Sequence, residues 1–231
     1  MKFLHRPFER KEDLGMNSEM VGKAEVFLKE TFGSSAYFRA HPTQRDYRLG
    51  HSYRVANLAK FIAQREGMDV TWAVLAGLLH DIAYGEGIET QEDWVNHGRR
   101  SAAIARPFLE DLGLPSHAVN EICYGIAIHV DDRADFAWTR TPFCETVGDA
   151  DNIDRYDAYR IYETLQYLKY SEMSHSDKGE VVATTLEKLN RFKEMKLATA
   201  TATALWTRRL EEQISFYERL RAQLEHSTAI L

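Results

Sequence analysis

The chain has 231 residues, 44% of them hydrophobic and 28% charged, a balance that excludes disordered, collagen-like and fibrous classes. With 29 Lys and Arg against 35 Asp and Glu, the net charge is −6, which argues against a broad basic surface for a polyanion. An anionic ligand would need a local source of positive charge.

Only two cysteines occur, Cys123 and Cys144, with no CxxC pair and no secretory framework, so both are read as small core residues in a reducing compartment. The stretch Met1 to Gly15 is charged, and no run reaches the ~18 uninterrupted apolar residues of a membrane span. Cytoplasmic residence is the expectation.

Gly (13) and Pro (5) are sparse, and apolar residues recur at helical spacing almost throughout, so an all-α fold is predicted. Met20, Val21, Ala24, Phe27 and Leu28 form a first stripe after a cap at Ser18, ending at Gly33. Ala36 to Leu49 reads as a loop. From about Gly50 to Glu66 a second stripe runs through Val55, Leu58, Ala59, Ile62 and Ala63, and His51 belongs to it. Asp69 caps a helix from Val70 to about Ala83 that is apolar nearly all round, and therefore central and buried. Thr90 or Asp93 begins a helix that Pro107 kinks or divides, Ser116 caps the next, and Thr141-Pro142 opens one carrying Val147 through Leu168. Two amphipathic helices complete the chain, marked by Leu186 and Leu189, then by Trp206 and Leu210.

The pair His80-Asp81 lies inside the most apolar segment. An ionised carboxylate buried there without a partner would cost several kcal/mol, so a cation must meet it, whether an arginine or a metal. Three further histidines lie in apolar stripes: His51 one turn before Val55, His97 between Trp94 and Ser101, and His129 after Ile122 and Ile126. Each alone could be a hydrogen-bonded core histidine, whereas a metal site explains them together. Asp149 and Asp151 lie ~200° apart on a helix, and the stripe of Val147, Ala150, Ala158 and Ile161 selects Asp151 as a ligand. Asp154 shares that face and is read as an acid supporting the ligands or facing the substrate. Imidazole and carboxylate together suit Mn, Fe, Zn, Co or Ni better than Ca, and leave room for water and a phosphate oxygen.

His51, His80-Asp81 and Asp151, in that order on successive helices, resemble the signature of the HD superfamily of metal-dependent phosphohydrolases. The flanking text agrees: His51-Ser-Tyr-Arg54-Val55, Leu79-His80-Asp81-Ile82, His97-Gly-Arg-Arg-Ser101, Ile128-His129 and Asp149-Ala-Asp151-Asn-Ile-Asp154. Within it the chain is similar to small stand-alone bacterial hydrolases whose fourth motif reads DADRLD, over about residues 47–225. The resemblance implies an all-α HD-type bundle in one domain, 1–231, with about 1–40 as an N-terminal helical extension. About 45–170 would form the metal-binding core, and about 171–231 C-terminal helices packing on it.

It further implies a divalent metal (Mn, Fe, Co, Ni, Zn or Mg, with Mn or Fe favoured) on His51, His80, Asp81 and Asp151. His97 and His129 would serve a second metal or the substrate phosphate, Asp81 would orient or deprotonate the attacking water, and Arg54 would clamp phosphate. The partner is then a small phosphorylated substrate, a nucleotide foremost, with no membrane and no extended nucleic-acid surface; a homodimer is compatible with the sequence. The alternative is a non-catalytic metal- and nucleotide-binding signalling module, and a weaker third reading is a helical interaction protein with core histidines. Where relatives carry a Glu or Lys shortly after His-Asp, this chain reads Tyr84-Gly-Glu86, and Asn152 replaces the Arg of the fourth motif.

Overall fold

The structure, a computed structural model, describes residues 17–228. The proposed N-terminal extension therefore lies partly outside the described residues. Among those residues the fold is all-α, and no helix is long and apolar enough to cross a membrane.

Helix α1 (Ser18–Ser34) starts from Asn17, whose side chain accepts from the Met20 amide, one residue before the expected cap. The segment expected as a loop is helical: α2 (Ala36–Ala40) is capped by Ser35, and α3 (Pro42–Glu66) begins with proline in its first turn. Its first two turns face solvent and a cleft rather than the core, so they carry no apolar stripe to read.

Buried α4 (Val70–Leu79) packs against α1, α3, α6 (Ser116–Ile128) and α7 (Pro142–Arg155), and is the centre of the bundle. The expected helix to Ala83 stops at Leu79. Asp81 leaves helical geometry at φ −108°, ψ 15°, and a 3-10 turn follows over Ile82–Glu86. Thr90 and Asp93 form a reciprocal cap for α5 (Gln91–Asp111), which runs through Pro107 without being divided. Helix α6 packs between α5 and α7.

The helix expected to reach Leu168 breaks at Tyr156, and Asp157 caps a separate α8 (Ala158–Tyr167) with no buried residue. Helices α9 (His175–Phe192) and α10 (Ala200–Glu225) pair, and α10 lies on α7 with Trp206 buried and stacked edgewise on Tyr156. Cys123 and Cys144 are free and buried.

Two glycines set how closely the helices approach. A Cβ on Gly77 would stand 2.6 Å from the Ala56 Cα, and one on Gly98 2.7 Å from the Ala127 carbonyl oxygen. Only glycine lets α4 press onto α3, and α5 onto α6, at these points.

Candidate metal centre

These close approaches bring five elements to one point: His51 from α3, His80-Asp81 from the end of α4, His97 from α5, His129 from the end of α6 and Asp151 from α7. In a continuous helix, neighbouring side chains diverge by ~100°. Because the chain leaves α4 at His80, that residue and Asp81 can turn toward the same centre.

Each imidazole is oriented through its Nδ1. His80 donates to the Gly77 carbonyl at 2.8 Å, His97 to Trp94 at 2.5 Å and His129 to Ile126 at 2.6 Å, while His51 donates to Asp154 Oδ2 at 2.8 Å. In a neutral ring this leaves Nε2 as a bare lone pair. These lone pairs face one another, His51 to His80 at 3.2 Å and His97 to His129 at 3.2 Å. Asp81 stands between the pairs, with Oδ2 at 3.5 Å from His51 and 3.6 Å from His80, and Oδ1 at 3.2 Å from His97 and 3.6 Å from His129.

Acceptors converging on acceptors in a buried site call for a positive charge between them, a proton or a metal ion. Two donors ~2.1 Å from one ion at a right angle lie about 3 Å apart, close to the spacings here. Asp151 Oδ1 adds to the first set at 3.1 Å from His51 Nε2, and it is a buried oxygen with no hydrogen-bond donor. The residues fit a divalent metal on His51, His80 and Asp81, with Asp81, His97 and His129 as a second possible set.

The cluster sits among arginines. Arg48 pairs with Asp81 Oδ2 at 2.7 Å and lies 3.4 Å above the Tyr84 ring, and Arg155 pairs with Asp151 Oδ2 at 3.0 Å. Burial alone would raise the Asp81 carboxyl, but the Arg48 guanidinium beside it holds it well below the usual range. Burial depresses His80 to about 4, so it is a neutral ligand at pH 7. Burial also opposes charge on His51, but the carboxylates of Asp151 and Asp154 push it up to about 9, so an ion binding at Nε2 would displace a proton.

Residues 48–159 match the family model of the HD domain. The chain carries an HD domain. It is similar to ribonuclease Y 1 of Pediococcus pentosaceus, at 42% identity over 62 residues, 27% of this chain and 11% of that relative. Ribonuclease Y of Mycoplasma mycoides is 46% identical over 63 residues, 27% of this chain and 14% of that one. The chain thus spans about a tenth of the length of these curated relatives.

Two solved structures share the fold at a TM-score of 0.60. One, from an uncultured Thermotogales bacterium, is described as a predicted HD superfamily hydrolase, is 21% identical and covers 90% of this chain and 92% of its own. The other, Bacillus subtilis YpgQ in complex with ADP, is 17% identical and covers 90% and 97%.

The HD domain thus brings together six residues singled out in the sequence: His51, His80, Asp81, His97, His129 and Asp151. Asp154 is buried behind His51, and Arg54 grips it with Nε at 2.7 Å from Oδ1 and Nη2 at 3.1 Å from Oδ2. Asp149 points away from the cluster, as its phase indicates, yet it is also buried: the α9–α10 connection covers it, and the Ala198 amide donates to it at 3.0 Å. Tyr84 packs edgewise on His97, whereas Glu86 is tied to Arg100.

Sequence reasoning missed Arg48 and Arg155. Their spacing was the available signal, three residues before His51 and four after Asp151. Arg155 supplies beside Asp151 the positive charge that Asn152 does not.

Proposed function

We propose that the protein is a metal-dependent phosphohydrolase acting on a nucleotide or another small phosphorylated metabolite, with ions on His51, His80, Asp81 and Asp151 and on Asp81, His97 and His129. The observation that carries this reading is the convergence of four imidazole Nε2 atoms on the two oxygens of one buried carboxylate. Ions bound there would lower the pKa of coordinated water and polarise a phosphoryl oxygen. The chain's own residues then hold and orient the reactants. Asp81, engaged through both oxygens, bridges the two sets, and Arg48 and Arg155 offer guanidinium groups to phosphate oxygens at the rim.

A cleft of 780 Å³ opens beside Arg48 and is lined by Tyr37, Tyr47, Tyr84, Trp94 and Arg160 among others. Aromatic faces with arginines beside a metal set suit a planar base bearing phosphate, and a protein of this fold binds ADP. The ribonuclease relatives raise RNA as a substrate. The net charge of −6 and the confined cleft favour a small molecule instead. The two free cysteines accord with a reducing compartment.

The test is a panel of nucleotides, sugar phosphates and a short RNA with Mn²⁺, Fe²⁺, Co²⁺ or Mg²⁺, following release of phosphate or pyrophosphate. Turnover of at least one small substrate, absent in Asp81→Ala, is expected. Stoichiometric retention of a nucleotide without product would support the signalling module, and cleavage of RNA alone would overturn the small-molecule reading.

A further inference from the structure

We propose that Asp154, held in place by Arg54, is a positioning residue that makes the two ion sets unequal, binding the His51 ring so that the set on His51, His80 and Asp151 takes its ion more tightly than the set on His97 and His129. The inference rests on the metal reading above. Three of the four histidines donate their Nδ1 proton to a neutral acceptor, the carbonyl three residues earlier in their own chain segment. His51 alone donates to a carboxylate, which lies 103 residues away in sequence. An anionic partner on Nδ1 fixes the tautomer and ring orientation and makes the opposite nitrogen a stronger donor to a cation.

Asp154 is fixed before any ion arrives. Its side chain is only 6% exposed, and the Arg54 fork meets both its oxygens. Arg54 is itself packed on the Tyr159 ring at 4.4 Å. Oδ2 is shared between His51 and Arg54, so the guanidinium could turn to a phosphate only by releasing the group that orients a ligand. Geometry therefore places Arg54 on the metal side of the site rather than the substrate side. On the other set, Asp131 is engaged by Arg99 at 3.0 Å, and no carboxylate reaches Nδ1 of His97 or His129 among the described residues.

The test is a titration of the metal-free full chain with Mn²⁺ or Zn²⁺ against a competing chelator, for wild type, Asp154→Asn, Asp154→Ala, Arg54→Gln and the Arg54→Gln/Asp154→Ala double variant. Wild type should show two steps of different affinity. Asp154→Ala should weaken the tighter step by about 10–100-fold, the usual effect of losing a ligand's hydrogen-bond partner, and leave the weaker step within about twofold. Asp154→Asn keeps the volume and an acceptor, so it serves if the alanine variant fails to fold, and it should weaken the same step by about tenfold. Arg54→Gln should change the tighter step only while Asp154 is present and add nothing in the double variant.

Two equal steps in wild type, or Asp154 variants that leave both steps unchanged, would overturn the proposal. So would an Arg54→Gln protein with unaltered metal affinity and a raised KM for substrate, which would make Arg54 a phosphate clamp. A wild type that binds no ion would instead overturn the metal reading itself, together with this inference.

Discussion

Asp81 has two oxygens and five nitrogen partners: Arg48, His51 and His80 on one side, His97 and His129 on the other. Among the described residues no other joins both sets, so Asp81→Asn should cost more than the 10–100-fold typical of residues behind the ligands and leave activity below about 1% of wild type. Initial rates at saturating metal check this. The histidines and Asp81 were legible because polar, metal-ligating side chains recur inside apolar stripes. Arg48 and Arg155 were not, because a half-exposed arginine on a helix looks the same whether it meets water or a buried carboxylate. Arg54 read as a phosphate clamp for a related reason: its sequence neighbourhood does not show that Asp154, a hundred positions on, occupies both faces of its fork. Burial pushes the Cys123 thiol up to about 11, so little thiolate exists at pH 8. Native protein should leave Cys123 unmodified by iodoacetamide, with labelling appearing only after unfolding in guanidinium; mass spectrometry of the digest reads the difference.

Helix identity was plain from periodicity, but the boundaries that matter chemically were not. The end of α4 at Leu79 is set by long-range contacts that draw Asp81 out of helical phase, and the break at Tyr156 separates the α7 carrying Asp151 from the α8 that walls the cleft. Neither break is marked by Gly or Pro. The start of α3 was hidden by the lack of a core-facing stripe over residues 42–49. Close helix contact also positions the proposed second ligand set: Gly98→Ala would push α5 against the Ala127 carbonyl, costing about 1–3 kcal/mol. A lowered Tm with loss of the weaker metal-binding step, the tighter one being retained, is the expected result of calorimetry and metal titration. Helix α8 buries no residue, and just past its end Lys169 takes a left-handed conformation, φ +51°. With so little apolar contact it should open locally. Its amides are expected to exchange with deuterium well before those of α4.

At the scale of the whole molecule, the acidic balance and the site's chemistry are complementary. A chain of net charge −6 disfavours polyanions at long range, while arginines, histidines and aspartates are concentrated at one buried point, the arrangement on which the proposed small anionic substrate rests. Ions that bind the folded chain and not the unfolded one stabilise it by about 2.7 kcal/mol per site at a hundredfold excess over Kd. For a chain of this size that corresponds to about 5–10 °C in Tm for one site, so chelation should lower the melting temperature by at least this much. Elemental analysis of the reconstituted, dialysed protein tests the central claim most directly. The bridged arrangement predicts two divalent ions per chain in wild type, one in His97→Ala and none in Asp81→Ala. A wild type holding a single ion that His97→Ala leaves in place, or holding none, would contradict it.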